Sequence, residues 1–210
     1  MTKATLKSAN LKYIGAVAGV DSGICMALAS TAHVDFASIT SAAALRLLAG
    51  PVVAVISILV SSILPADFKA ILVYWRIRDA LPGCRAFSVH GLRDPRINID
   101  ALTKNVGALP TDPREQNAKW YKLLKKVDDH HEVRDAHSRF LLFRDLTGLS
   151  LLMAILAPAA LAVFGYSATV VMLALSVFVF QFVVSAVAGR FSGNRLVANV
   201  LALHSVKKYK

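Results

Sequence analysis

Apolar residues are concentrated in two blocks of the chain, and a polar block from residue 65 to residue 148 separates them. Within the apolar blocks, four stretches approach the roughly 20 residues that a helix needs to cross about 30 Å of hydrocarbon. They cover residues 11–30, 42–64, 146–164 and 168–189. This pattern predicts an all-α membrane protein with four transmembrane helices arranged as two hairpins, and with a small helical cytoplasmic insert between the hairpins.

The same pattern divides the chain into four segments with different surroundings. Residues 1–64 are predicted to form the first transmembrane hairpin and residues 149–189 the second. Residues 65–148 form the cytoplasmic insert, which contains interfacial and soluble helices. Residues 190–210 form an amphipathic, basic cytoplasmic tail. We expect this tail to lie on the inner leaflet, because its apolar residues recur at helical spacing opposite polar and basic ones.

Local patterns predict the elements of the insert. Residues 66–80 have apolar and basic positions at helical spacing and suit an interfacial helix, while the alternation within residues 84–98 indicates a short strand. Asp112 can cap a helix whose first residue is Pro113, and this helix needs a partner for its apolar face. A further helix that starts at about Glu132 runs into the third span with little to interrupt it.

Composition supports the membrane assignment, and charge gives its orientation. The chain has 210 residues, 56% of them apolar, and a mean hydropathy of +0.55, which exclude an ordinary soluble domain. The net charge of +11 is concentrated in residues 1–12, the insert and the tail, whereas the links at 31–40 and 165–167 contain no lysine or arginine. By the positive-inside rule, the insert and both termini are cytoplasmic in a bacterial inner membrane.

Small residues recur at every fourth position of the first span, at Gly15, Gly19, Gly23 and Ala27. Such spacing lets two helix backbones approach closely. The stripe therefore indicates either a homo-oligomer or packing against another span of the same chain, and both readings stay open.

Three polar residues fall inside the predicted spans: Asp21, Arg46 and Gln181. An ionisable group at membrane depth is costly and marks a functional site by default. Asp21 can be a pore-lining or proton-sensitive carboxylate, or it can make a structural hydrogen bond or ion pair inside the bundle. Arg46 lies closer to the outer surface, so a pair with Asp21 requires both side chains to reach. Gln181 suits a hydrogen bond between helices.

Basic side chains of the insert, with Trp120 and Tyr121 nearby, indicate a surface for an anionic ligand such as a nucleotide or for anionic lipid. The candidate residues are Arg93, Arg96, Lys119, Lys122 and Lys126. Because the insert has 15 basic and 11 acidic residues, its charge excess is small. This balance favours contact with the lipid bilayer over a nucleotide ligand and disfavours nucleic acid as a partner.

The sequence contains no catalytic or metal-binding motif. His130, His131 and His137, with His90 farther away, lack the spacing of a zinc site, and a solvated or pH-sensitive surface explains them better. The Walker, GxSxG, HExxH and dinucleotide motifs are absent. We therefore predict no cofactor, no metal and no enzyme activity.

The layout, together with residues 112–126 (DPREQNAKWYKLLKK) and 137–145 (HSRFLLFRD), resembles small multi-span membrane effectors of bacterial antiphage systems of the retron, Kiwa or cyclic-nucleotide type. The resemblance implies a cytoplasmic insert that receives a signal from a partner protein or a ligand. It also implies transmembrane helices that then permeabilise the inner membrane or recruit a partner there. No site residue follows from the resemblance.

These features favour an inner-membrane effector whose helices perturb or gate the membrane. The alternative is a small transporter or channel subunit that uses Asp21. A membrane enzyme has the least support.

Overall fold

The computed structural model of the protein describes residues 6–30, 41–207 and 209, with the backbone only at positions 7, 8 and 41–50. These residues form helices joined by turns, with no strand among them, which confirms the predicted all-helical class. The α-helices are α1 (Leu6–Ser30), α2 (Ser41–Ile63), α3 (Ala66–Tyr74), α4 (Gly91–Arg93), α5 (Ile99–Val106), α6 (Pro113–Lys126), α7 (His131–Val163) and α8 (Ala168–Val206). A 3₁₀ turn (Pro82–Arg85) and a π-helical turn (Ala86–His90) lie between α3 and α4.

Helices long and apolar enough to cross a membrane occur in both halves of the chain. Within the described residues there are three, at Ala9–Ser30, His131–Val163 and Ala168–Val206. Pro51–Ile63 and Ala66–Tyr74, which are separated by a break, add a fourth if they are counted as one span. The helices therefore indicate a multi-pass membrane protein with three to four spans.

The chain separates into two compact units. The apolar unit consists of Met1–Pro65 and Arg144–Ser185, and the charged unit consists of Ala66–Phe143 and Ala186–Lys210. Helices α7 and α8 each contribute residues to both units. The boundary of the charged unit thus differs from that of the predicted insert mainly because the charged unit includes the tail.

Of the three described helices that are each long enough to cross a membrane, α7 is the most buried. In its most apolar stretch 56% of the residues are buried, against 22% in the corresponding stretches of α1 and α8. Large apolar side chains of the other helices are exposed, such as Val20 on α1 and Phe180 on α8. Exposed side chains of this kind are what a lipid-facing surface requires.

The core of the charged unit joins α6 to the ends of α7 and α8. Its buried side chains include Trp120, Leu123 and Leu124 of α6, Val133 and Phe140 of α7, and Leu196, Val197, Val200 and Leu201 of α8. The apolar stripe of α6 thus has the partner that its sequence requires. The expectation that the apolar face of the tail lies on the inner leaflet is wrong, because these α8 side chains are buried within the protein.

Two other local expectations differ from the structure, and one is confirmed. The segment predicted as a strand forms helical turns, and the helix predicted over 66–80 ends at Tyr74. It ends there because Trp75 has a positive φ of 52°, which an α-helix cannot accommodate. The predicted cap of α6 is present: Asp112 Oδ1 accepts hydrogen bonds from the backbone N–H groups of Arg114 and Glu115, at 2.9 and 3.0 Å.

Candidate anion-binding site

Two glycines of α8 allow α3 and α8 to pack closely. A Cβ atom at Gly193 would collide with the Tyr74 hydroxyl and the Phe140 ring, and one at Gly189 would lie 3.0 Å from Val73 Cγ1. Arg190 follows Gly189 directly, so this packing carries its side chain to the end of α3. The close approach therefore depends on two positions that have no side chain.

A buried glutamine positions the turns that follow α3. Gln116 Oε1 accepts hydrogen bonds from the backbone N–H groups of Phe87 and Ser88, both at 3.1 Å, and from the Ser88 hydroxyl at 3.2 Å. Its Nε2 donates to the Thr111 carbonyl oxygen at 2.9 Å. Gln116 is almost fully buried, so these bonds hold the π-helical turn against α6.

These elements enclose a cavity of about 120 Å³, here called the arginine pocket. It is lined by Tyr74, Arg76, Arg85, Val89, His90, Arg93, Arg190 and Asn194. Four of these eight residues are arginines, and none of the described lining residues carries a carboxylate. Because four arginines line one small cavity and no described lining residue supplies a counter-charge, the cavity is chemically suited to an anion.

Arg190 has the most defined geometry of the four arginines. Its Nε donates a hydrogen bond to the Val73 carbonyl oxygen, and its Cζ lies 3.7 Å from the centroid of the Trp75 ring. Its Nη2 atom is buried and has no hydrogen-bond partner among the described residues. A buried guanidinium nitrogen without a partner is costly, and an anion in the pocket would satisfy it.

The electrostatics of the pocket reflect both burial and like charges. Burial, together with the nearby charges of Arg76, Arg93 and Arg85, lowers the pKa of His90 to about 4. Burial also lowers the pKa of Arg76, and the positive charges of Arg85 and Arg190 lower it as well. His90 is therefore neutral at pH 7, and the positive charge of the pocket comes from the arginines.

A wider cleft of about 650 Å³, here called the open cleft, adjoins the arginine pocket. It is lined by His90, Arg93, Asp94, Pro95, Arg96, Phe191, Asn194, Arg195 and Ala198. Its carboxylate is paired: Arg96 Nε and Nη2 donate to Asp94 Oδ1 and Oδ2, at 3.0 and 2.7 Å, and these bonds hold the pKa of Asp94 below its ordinary value. Asp94 therefore does little to neutralise the arginine pocket.

A second cleft, of about 450 Å³, lies elsewhere in the charged unit and has a different character. Its charged lining consists of Asp67, Asp79, Arg78 and Arg114, so the two signs balance. Arg114 and Asp79 also form an ion pair across 3.8 Å. This cleft offers no excess charge to an anion, and the arginine pocket is therefore the better candidate.

The five predicted basic residues do not form one surface, although Arg93 and Arg96 share the open cleft. Arg93 lines both the arginine pocket and the open cleft, whereas Arg96 lines the open cleft alone and is held by Asp94. Lys119 Nζ donates to the carbonyl oxygens of Gly107 and Ala108, Lys126 Nζ donates to the Tyr209 carbonyl oxygen at 3.3 Å, and Lys122 is exposed on α6.

Sequence reasoning missed Arg76, Arg85 and Arg190 as pocket residues. Arg76 belonged to the predicted interfacial helix, whose basic side chains were expected to face anionic lipid, and Arg190 belonged to the predicted tail. No local pattern connects them, because they converge only through the packing of α8 against α3.

The polar residues of the apolar unit form a separate feature. Asp21 is only 1% exposed, and its Oδ2 accepts a hydrogen bond from Gln181 Nε2 at 3.3 Å. This bond joins α1 to α8, as the interhelical reading of Gln181 predicts. The side chain of Arg46 lies outside the described residues. The hydroxyls of Ser57 and Ser150 are buried and have no hydrogen-bond partner in the described part of the chain.

The glycine stripe of α1 is open. No described atom lies within 4 Å of a Cβ built at Gly15, Gly19 or Gly23, and Ala27 is exposed. Packing against the described part of the same chain therefore does not occupy this face.

The histidines of the insert are dispersed. His130 packs edge-on against the Tyr209 ring, with 5.3 Å between ring centroids, and His131 is exposed. His90 lies in the arginine pocket. Within the described residues, no group of three or more histidine, cysteine, aspartate or glutamate side chains is arranged to hold a metal ion.

Comparison of the chain with protein-family models, with curated proteins and with solved structures finds no match. The function proposed below is therefore based on the geometry of the chain's own residues.

Proposed function

We propose that this protein is an inner-membrane effector whose charged unit binds an anionic ligand in the arginine pocket and whose apolar helices then perturb or gate the membrane. The observation that supports this proposal is the convergence of Arg76, Arg85, Arg93 and Arg190 around one cavity whose described lining contains no carboxylate. The setting that we propose is antiphage defence, in line with the resemblance of the layout to such effectors. No catalytic role is proposed.

Ligand binding can supply enough free energy for a switch. Each hydrogen bond to a charged group contributes about 1.5–3 kcal/mol. Moving a two-state equilibrium from 1:99 to 99:1 requires about 5.5 kcal/mol of differential binding. Two to four such bonds, made in one state only, supply this amount. Arg190 Nη2 is one donor that is ready to make such a bond.

The helices shared by the two units provide a route for the signal. Helix α7 places Val133 and Phe140 in the core of the charged unit, and its C-terminal part belongs to the apolar unit. Helix α8 likewise contributes to both units. A change of packing in the charged unit can therefore act on the spans through these two helices.

The proposed membrane arrangement has four spans in two hairpins, with both termini and the charged unit in the cytoplasm of a bacterial cell. It places lysines and arginines on the inner side. The open glycine stripe of α1 would join copies of the chain into a homo-oligomer. A cytoplasmic partner protein is the other proposed source of the signal.

The test of this function is membrane damage on expression, measured by entry of a membrane-impermeant dye into cells. Leu124 is 2% exposed in the core of the charged unit, so Leu124→Asp disrupts that core and should abolish dye entry. Lys122→Asp places the same residue on the exposed side of α6 and should leave dye entry unchanged. Both proteins are compared at equal abundance in the membrane. Full activity of the Leu124→Asp protein would contradict the proposed role of the charged unit.

A second function, a small transporter or channel subunit, is supported by a different observation. The buried side chain of Asp21 accepts a hydrogen bond from the half-buried Gln181 between α1 and α8, and the hydroxyls of Ser57 and Ser150 are buried without partners in the described part of the chain. Polar groups of this kind line transport pathways. Asp21→Asn keeps an acceptor for Gln181 and removes the carboxylate. Loss of proton or cation flux into proteoliposomes, with dye entry in cells unchanged, would favour this function over the effector.

A further inference from the structure

The arginine pocket and the open cleft together offer a ligand two kinds of surface. They share His90, Arg93 and Asn194, so one ligand can reach both. The pocket of about 120 Å³ is small and cationic, whereas the cleft of about 650 Å³ has the volume of a small-molecule site. The side chain of Phe191, which is 72% exposed, lines the cleft.

The charge of the pocket determines which anion fits best. A phosphomonoester has a charge of about −1.5 to −2 at pH 7 and three strong acceptor oxygens. A phosphodiester has a single negative charge and two such oxygens. Each guanidinium can donate two parallel hydrogen bonds to phosphate oxygens. Four arginines without a carboxylate among the described lining residues therefore select the monoester over the diester.

The body of the ligand is determined by the open cleft. Phe191 presents an exposed aromatic face, and aromatic faces stack on nucleobases and also pack against acyl chains. The Arg96 side chain is turned onto Asp94, at 2.7 Å, and so contributes little charge to the cleft. Arg195 also lines the cleft, so a body that offers Phe191 an apolar or aromatic face and carries no cation matches this surface.

From these features, and on the basis of the function proposed above, we infer that the ligand of the arginine pocket is a phosphomonoester, with its terminal phosphate among Arg76, Arg85, Arg93 and Arg190 and its less polar body against Phe191. Two sources share this chemistry: a soluble nucleoside monophosphate and a monoester lipid headgroup.

The test is a binding measurement on the full chain. For the soluble source, calorimetry in detergent compares inorganic phosphate, AMP and the diester cyclic AMP. For the lipid source, the protein is titrated with nanodiscs that contain phosphatidic acid, a monoester, or phosphatidylglycerol, a diester. We expect at least roughly tenfold tighter binding of the monoester than of the diester in the arm that matches the true source, as one charge-assisted hydrogen bond implies.

Variants identify the residues that bind. Arg85 and Arg93 are exposed, so Arg85→Gln and Arg93→Gln should fold, and each should weaken monoester binding roughly tenfold to hundredfold. Lys104→Gln, on the exposed side of α5, should bind as the wild type does. Phe191→Ala should weaken binding of AMP or phosphatidic acid but not of inorganic phosphate. Unchanged circular dichroism shows that each variant is folded.

The outcomes separate this inference from the proposed function. Equal binding of monoester and diester in both arms, no monoester binding in either arm, or wild-type affinity of both arginine variants would overturn the inference. Monoester binding that the arginine variants weaken, without any dye entry in cells, would leave the inference standing and refute the effector function. Dye entry with no monoester binding would refute the inference and leave the effector function standing.

Discussion

Replacement of Gln116 by methionine is expected to destabilise the charged unit strongly. Methionine has the unbranched shape of glutamine but neither the acceptor nor the donor. The backbone N–H of the buried residue Phe87 loses its partner at 3.1 Å, which costs about 1–3 kcal/mol. Ser88 and Thr111 are exposed, so water can replace their bonds to Gln116 at small cost.

The expected net loss is about 2 kcal/mol in the free energy of unfolding. For a unit of this size, that loss lowers the midpoint of thermal unfolding by on the order of 10 °C. The measurement is thermal unfolding of the detergent-solubilised protein, followed by circular dichroism. Lys122→Met is the matched control, because Lys122 is exposed on the same helix, and it should stay within about 0.5 kcal/mol of the wild type. A Gln116→Met protein as stable as this control would refute the role assigned to the glutamine.

Three further predictions concern pH, assembly and topology. Because the pKa of His90 is about 4 in the folded protein against 6.5 ordinarily, the unfolded chain binds the proton first, and stability falls as the pH drops from about 6.5 to about 4. The pKa shift corresponds to at most ~3 kcal/mol of unfolding free energy, which solvent screening reduces to ~1–2 kcal/mol. In chemical unfolding, the His90→Gln protein should therefore lose ~1–2 kcal/mol less stability than the wild type over this pH range. Gly19→Leu adds a bulky side chain to the open glycine stripe and should abolish cross-linked oligomers in membranes. Val20→Leu, at the neighbouring position, should not. Oligomers that persist in both variants would show that the stripe does not mediate assembly. Reporter fusions after Ser167 should appear outside and fusions after Gly107 inside, and an outside signal at Gly107 would contradict the four-span arrangement.

Elements with strong local signals could be predicted from the sequence. The helix that starts after Asp112 has a capping residue, a proline at its first position and a clear apolar stripe, and all three act within α6 itself. Likewise, residues 11–30 lie in one helix, as their run of apolar residues indicates. Local chemistry is sufficient where a structure depends on neighbours in the chain.

Features that depend on distant contacts could not be predicted. An amphipathic tail suits a lipid surface and a protein core equally well by its pattern, and Leu201 packs in a core because α6 supplies the other half. The turn at Phe87 depends on Gln116, 29 residues away. Arg76 and Arg190 meet only because glycines in α8 permit close packing with α3.

The stacking of Arg190 on Trp75 gives the protein an intrinsic optical reporter. The indole is 56% exposed and has the guanidinium carbon 3.7 Å from its ring centroid, so its emission responds to the charge above it. The chain's other tryptophan, Trp120, is buried in the core and away from solvent. An anion that binds Arg190 should therefore change the emission of Trp75 and leave that of Trp120 as an internal reference. Occupancy of the arginine pocket becomes readable in the purified protein without any added label.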